Sequence, residues 1–487
     1  MRRLVTSSAV VALAVLGYAA ADVVDLAPGI LTRERPTPLP APTAAGPAPI
    51  PVPLPSTGPP APVLLALPGD APTPAADRLA EVLDQALADP ALGPSVGVSV
   101  RDARTGEELY GRGTGEHRIV ASAQKILAAA AITSVLDPQA RMTTAVRSPA
   151  PGELVLVAGG DTLLASGRSD PTVVAGRAGL ADLAADVVAN LPAGSPGALT
   201  LRLDMTYAAG PGYPDTPAYP VGWSAADLAA GYTQTISMIG LAQDRPTPGK
   251  PSPNDPGAAV LAAFARALAS ALPPDGPAIT VQDSPALRAT PAPAGAALLG
   301  AVESAAYGDV LALALDESDN ALTENLARQA SVRGGRDGAF ADNADFVADT
   351  LGALGFDLSG TTLLDTSGLT RGQGSTARLL AQVTVAALDG TLPGLADVVA
   401  QLPVAGLDGT LIDRFRTGPA SAAAGVARAK TGTLTGISSL VGTTVDADDR
   451  PLVFAIIADQ VPPATGTLGA RAALDRAVAT LTACGCR

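Results

Sequence analysis

The sequence is poor in the residues on which many catalytic and binding sites depend. One histidine in 487 residues excludes paired-His metal motifs such as H-E-x-x-H, and two cysteines cannot build a four-thiolate zinc site. Only three lysines stand among 32 basic residues, against 46 acidic ones, for a formal charge of −14. That balance argues against a nucleic-acid partner, because releasing counterions from phosphates needs a basic surface. Aromatics make up 3% and hydrophobic residues 47%, so the core must be packed from aliphatic side chains and alanine. Length points to more than one domain, since single cores stop growing near about 250–300 residues. No period of 20–50 residues recurs, which argues against solenoids and propellers. Nothing calls for a metal or other cofactor, and the chemistry falls to hydroxyls, carboxylates, amides and a few amines.

Arg2 and Arg3 precede an apolar run over residues 4–21, and Ala19-Ala20-Ala21 offers a small-residue cleavage site before Asp22. The run also meets the short end of the roughly 17–25 residues that span a bilayer. Residues 1–33 are therefore read as a signal peptide or a signal anchor, and any membrane contact runs through that segment. The expected location is the cell envelope, secreted or N-terminally anchored. Residues 34–75 form a Pro-rich linker, as in Pro36-Thr37-Pro38-Leu39-Pro40, which favours extended polyproline II at about 3.1 Å per residue.

Helical spacing of Leu79, Val82, Leu83, Ala86 and Leu87 predicts a helix over 77–88. Alternation over 96–100, a turn over 102–106 and a return over 107–110 predict a hairpin that opens a sheet. Ser122-Ala123-Gln124-Lys125 then heads an alanine-rich helical run. Serine at i and lysine at i+3 share a face, so the amine reaches the hydroxyl, and a desolvated lysine can take its proton. Lys430-Thr431-Gly432-Thr433 lies in the first of three consecutive antiparallel strands (426–434, 438–445 and 451–457). A glycine there lets another backbone, such as a substrate, approach closely. Ser318-Asp319-Asn320 heads a helix carrying Leu322, Leu326 and Ala330 on one side. Each motif alone reads equally well as a cap or a turn. A rival Ser-x-Asn, Ser252-Pro253-Asn254, falls in a Pro/Gly loop beside the third lysine, Lys250.

The order Ser-x-x-Lys, Ser-x-Asn, Lys-Thr-Gly resembles that of the penicillin-recognising serine enzymes. Ser318 follows Ser122 by 196 residues (122 to 318), and Lys430 follows Ser318 by 112 (318 to 430). The long first gap resembles the D-alanyl-D-alanine carboxypeptidase/endopeptidase family, the class C low-molecular-mass penicillin-binding proteins, which insert extra structure there. Residues 154–161, 365–369 and 402–411 look like the same family, with Asp161-Thr162 where it usually has Asp-Pro and Thr366 where it usually has Gly.

The resemblance implies an α/β (α+β) penicillin-recognising fold, an antiparallel sheet flanked by helices, carrying an inserted mixed α/β region. The catalytic domain is expected over 76–144 and 298–487, with the insertion over 145–297. It implies a serine D,D-peptidase acting on peptidoglycan stem peptides, with β-lactams as covalent inhibitors. Ser122 resembles the nucleophile and Lys125 its base, the lysine's pKa lowered by burial and by the like charge of Lys430. Ser318 would relay a proton to the leaving amine. Asn320, Lys430, Thr431, Gly432 and Thr433 correspond to the substrate-binding set, and the amides of Ser122 and Thr433 to the oxyanion hole. A β-lactamase would need a group that activates deacylating water, which the sequence does not identify. A non-catalytic wall-binding protein would not need all five of Ser122, Lys125, Ser318, Asn320 and Lys430. His117 is read as a polar loop residue, Trp223 as core of the insertion, and Cys484 with Cys486 as a local disulfide.

Overall fold

The computed structural model describes residues 71–192, 197–215 and 218–487. The expected signal segment (1–33) and the linker up to residue 70 lie outside the described residues. The strands, in chain order, are β1 (Val96–Asp102), β2 (Glu108–Arg112), β3 (Arg141–Ser148), β4 (Glu153–Val157), β5 (Ala198–Asp204), β6 (Ala278–Val281), β7 (Ala297–Ala306), β8 (Arg428–Leu434), β9 (Ile437–Val445) and β10 (Pro451–Ala458). They form two five-stranded sheets, β2-β1-β10-β9-β8 and β6-β5-β4-β3-β7.

The first sheet is antiparallel throughout, with β8 at one edge. Its strands come from both ends of the chain, because β1 pairs with β10 from Val96 against Ala458 to Asp102 against Leu452. Helices α1 (Ala76–Leu87) and, at the C-terminus, Gly466–Thr482 cover one face, where Leu79, Leu83, Leu474 and Val478 meet Val98, Val100 and Phe454. The period-2 pattern of β10 places Val453, Ala455 and Ile457 on the other face, in one core with α2 (Lys125–Val135). Every α2 residue from Lys125 to Ile132 is buried, as expected for a helix apolar all round. Its run of alanines replaces bulky packing with close approach.

The insertion is built on the second sheet. Strands β4, β5 and β6 are parallel, while β3 runs antiparallel to both β4 and β7. Helices α3 (Leu180–Asn190) and α4 (Pro256–Ala271) supply Leu183, Val187, Val260 and Phe264 to a core with Leu154, Leu156, Leu201 and Leu203. The expected limits of the insertion need correction. The boundaries at 144/145 and 297/298 cut through β3 and β7, because those strands hydrogen-bond to each other from Arg141/Ala306 onward as neighbours in one sheet, with β7 at its edge. The linker limit of 75 also moves. Ala71 is buried with its carbonyl accepting from Arg450 at 2.7 Å, and the Ala75 amide donates to the Cys486 carbonyl at 2.5 Å. Cys484 and Cys486 form a disulfide, so the cross-linked C-terminus clasps the start of α1.

Candidate active site

Ser122 stands in a 3-10 turn, Ala121–Gln124, that runs directly into α2, so that Lys125 is the first α-helical residue. Ala121 has φ 49°, the left-handed region that side-chain-bearing residues rarely occupy. The surroundings hold it there. Gly368 passes so close that a Cβ on it would lie 2.1 Å from the Ala121 carbonyl oxygen. The Val120 carbonyl accepts from Ser439 Oγ at 2.7 Å. Gly432 plays a different part from the one its sequence suggested. A Cβ there would meet Ser439 Oγ at 2.1 Å and the Val120 oxygen at 2.3 Å, so the backbone it admits is the protein's own Ser122 turn rather than a substrate.

Lys125 is fully buried, and its Nζ lies 3.1 Å from Ser122 Oγ, 2.6 Å from Asn320 Oδ1 and 2.7 Å from the Ser367 carbonyl oxygen. Asn320 opens α6 (Asn320–Arg333), which Asp319 caps by accepting from the Leu322 amide at 2.9 Å. Between this helix and α5 (Tyr307–Asp316) the chain turns through Ser318, a second non-glycine residue in the left-handed region at φ 59°. Arg245, from the insertion, clamps that corner by pairing with Asp319 at 2.7 Å and Glu317 at 2.5 Å. The Asn320 amide donates to the Tyr232 carbonyl at 2.9 Å, so the insertion supports this wall twice.

The opposite wall is edge strand β8. Lys430 is fully buried and donates to the Thr431 carbonyl at 2.8 Å. Thr431 Oγ1 lies 3.0 Å from Thr410 Oγ1. Thr433 Oγ1 accepts from Arg471 at 3.2 Å, which leaves its hydroxyl proton free for another acceptor. Ser122, Ser318, Asn320, Thr431 and Thr433 line one cleft of about 1120 Å³, with Lys125 and Lys430 behind its walls.

Burial governs the charges. It pushes Lys125 down to about 8, while Asp365, Asp319 and Glu324 pull it partly back. Lys430 falls well below the ordinary lysine range, through burial first and the nearby Lys125 second, with Asp316 opposing. The two ammonium groups disfavour each other's charge, and the carboxylates near Lys125 oppose that effect there. Burial, with Asp408 and Glu317, raises Asp316 to about 6.

Several residues of the cleft carry no sequence motif. Arg471 comes from the C-terminal helix and Arg245 from the insertion, and nothing near either in sequence marks them. Thr410 and Ser367 did have a signal, since both belong to the segments 402–411 and 365–369 that resemble the family. Their roles run through a side-chain hydroxyl and a main-chain oxygen, which a motif does not specify. His117 is exposed, its Nδ1 3.1 Å from the Gly360 carbonyl oxygen, and lies outside the cleft lining. Lys250 is exposed in its loop. Trp223 is buried in the insertion core as expected, and its indole N–H donates to Asp365 at 2.9 Å, next to the loop that holds Ser367.

The chain is similar to known proteins over most of its length. The sequence is 35% identical over 420 residues to carboxypeptidase DacB of Mycolicibacterium smegmatis, covering 85% of this chain and 86% of that protein. It is 30% identical over 451 residues to a D-alanyl-D-alanine carboxypeptidase of Actinomadura sp., covering 78% and 80% respectively. The fold is that of penicillin binding protein 4 (dacB) from Haemophilus influenzae, with a TM-score of 0.60 at 17% identity, covering 83% of this chain and 98% of that one. The profile of the D-Ala-D-Ala carboxypeptidase 3 (S13) family matches residues 79–245 and 252–481, so the chain belongs to the D-Ala-D-Ala carboxypeptidase 3 (S13) family.

Proposed function

We propose that this D,D-peptidase works from the cell envelope on peptidoglycan stem peptides, through an acyl-enzyme on Ser122 with Lys125 as the base. The observation that carries the assignment is the set of partners around Lys125. A neutral amine has two N–H donors and one lone pair. Asn320 Oδ1 at 2.6 Å and the Ser367 oxygen at 2.7 Å occupy the two donors, so the lone pair faces Ser122 Oγ at 3.1 Å. Burial lowers Lys125 to about 8, which brings a minor neutral fraction within reach at physiological pH.

In this reading Ser122 Oγ attacks the carbonyl carbon of the penultimate D-alanine while Lys125 accepts its proton. The amides of Ser122 and Thr433 hold the oxyanion. Ser318 passes a proton to the departing amine as the C–N bond breaks, D-alanine leaves, and water hydrolyses the ester. Asn320 holds the substrate amide. The terminal carboxylate is met by the free Thr433 hydroxyl and by Thr431 at the edge of β8, with Gly432 keeping the Ser122 turn against that strand. The Arg471 guanidinium behind Thr433 supplies the positive side of this wall, and Lys430 lies buried within it. A β-lactam presents the same carbonyl and carboxylate and acylates the same serine. A stem cross-link with D-alanine on the acyl side is cut by the same steps, which gives endopeptidase activity. The N-terminal segment directs export, as a signal peptide or anchor.

Intact mass after benzylpenicillin tests the assignment, with Ser122→Ala as control. One adduct on the unmutated protein and none on the variant is the expected result. No adduct on the unmutated protein would remove the enzyme reading. Release of D-alanine from a diacetylated tripeptide, faster than hydrolysis of penicillin, distinguishes the peptidase from a β-lactamase.

A further inference from the structure

One buried acid of the site has no part in the steps above. Glu324 lies one helical turn beyond Asn320 on α6, at i+4, so the two side chains leave the same face of the helix. Its side chain is wholly buried. Oε1 accepts two consecutive main-chain amides, Thr366 at 2.7 Å and Ser367 at 2.9 Å, and no cation pairs with the carboxyl among the described residues. The carbonyl of that same Ser367 is one of the two acceptors that fix Lys125.

We infer that Glu324 is a positioning residue for the reaction. By holding the Thr366 and Ser367 amides it aims the Ser367 carbonyl at Lys125, and so keeps the lysine lone pair directed at Ser122. The inference rests on the reading of Ser122 and Lys125 as nucleophile and base. Both fixed acceptors of Lys125 then trace to α6. Asn320 provides one with its own side chain, and Glu324 provides the other through two hydrogen bonds to the 365–369 loop.

The placement has an electrostatic side. Burial and the neighbouring Asp365 raise Glu324 to about 8, the region where Lys125 titrates. An anion at Glu324 holds the proton on Lys125, and a neutral carboxyl releases it. The other charged groups facing the pair are Asp365 on the loop and Asp319 at the helix cap. Lys430, with Asp316, faces it from the β8 side. Arg328, one turn further along α6, donates to the Gly338 carbonyl and lies over the Phe340 ring, and its charge also interacts with Glu324.

The test is the pH dependence of Ser122 acylation by benzylpenicillin, followed by intact mass in the full chain. Glu324→Gln keeps a carbonyl acceptor for the two amides but cannot ionise. The acid limb of its profile is expected to move to lower pH by about half a unit or more. Glu324→Ala leaves two buried amides without an acceptor, and acylation is expected to fall about tenfold or more, with Glu324→Gln restoring most of the loss. An unmoved acid limb in Glu324→Gln, or wild-type acylation in a folded Glu324→Ala, overturns the inference. If Glu324→Ala does not fold, the limb of Glu324→Gln decides alone. Failure of the unmutated protein to acylate at Ser122 would instead remove the underlying reading, which the Ser122→Ala control tells apart.

Discussion

At the scale of the residue, the site is governed by what burial does to two amines. In the proposed mechanism Lys125, at about 8, is mostly protonated below that pH and then cannot take the proton of Ser122. The acylation rate is therefore expected to rise about tenfold per pH unit on the acid side and to level off near 8, measured as penicillin adduct formed per second. Arg471 makes a second, separable contribution. Its bond to Thr433 orients the hydroxyl proposed to meet the substrate carboxylate. Arg471→Ala is expected to raise KM for a D-Ala-D-Ala peptide about tenfold with a smaller change in kcat, since a charge-assisted hydrogen bond contributes about 1.5–3 kcal/mol. Gly432→Ala would force a methyl group to within 2.3 Å of the Val120 oxygen, a backbone atom that cannot swing away. A loss of about 1–3 kcal/mol or more in urea unfolding, together with loss of penicillin acylation, is the expected outcome. Lys125 and Lys430 were legible in the sequence because lysine is so rare here that its placement inside motifs stood out. Arg471 was not, because it is one arginine among many and only the packing of the last helix brings it to β8.

At the scale of the element, the three motifs sit where secondary structure begins, ends or lies exposed at an edge. Ser122 lies at the head of α2, Asn320 at the head of α6, and Lys430 to Thr433 on an edge strand. Such positions leave main-chain donors unpaired within their own element, which is what a reacting carbonyl needs. The α5–α6 corner is the most dependent on outside support. Asp319 caps α6 and also receives Arg245 from the insertion, while Ser318 beside it holds a left-handed conformation. Asp319→Ala removes both contacts, with an expected cost of about 1–2 kcal/mol in denaturant unfolding and a fall in acylation rate as the Ser318 turn loosens. The helix and the cap were readable from Ser318-Asp319-Asn320 and the Leu322, Leu326, Ala330 stripe. The clamp was not, since its partner lies 74 residues earlier in the chain.

At the scale of the whole molecule, the insertion supports the site it interrupts. Arg245, Tyr232 and Trp223 all reach from it to the catalytic walls, the last through its hydrogen bond to Asp365. Trp223 is the one tryptophan of the chain and is buried at that junction, so its fluorescence reports docking of the insertion. Unfolding followed by tryptophan emission and by far-UV circular dichroism is expected to give one coincident transition. An earlier fluorescence transition would mean that the insertion separates first. Trp223→Phe keeps a smaller aromatic ring but removes the N–H, which should destabilise by about 1–3 kcal/mol, because a buried Asp365 oxygen loses a donor and the core loses volume.

The sequence by itself determined the chemistry. Rare lysines in ordered motifs and the gap between Ser122 and Ser318 carried the resemblance to a known family, which implied the fold class, the insertion and the candidate reacting groups, while hydrophobic periods of two and of helical spacing placed the local strands and helices. These are local patterns or simple distances along the chain, and a side chain's chemical capacity travels with it. The tertiary structure alone decided how that capacity is directed. It showed that Gly432 makes room for the Ser122 turn, that β3 and β7 belong whole to the sheet of the insertion, and that Asp365, Asp319 and Glu324 act on the buried Lys125. It also brought Glu324 under Ser367 and Arg471 behind Thr433. Those facts depend on atoms distant in sequence meeting within a few ångströms, and on the loss of water around them, neither of which any local pattern records.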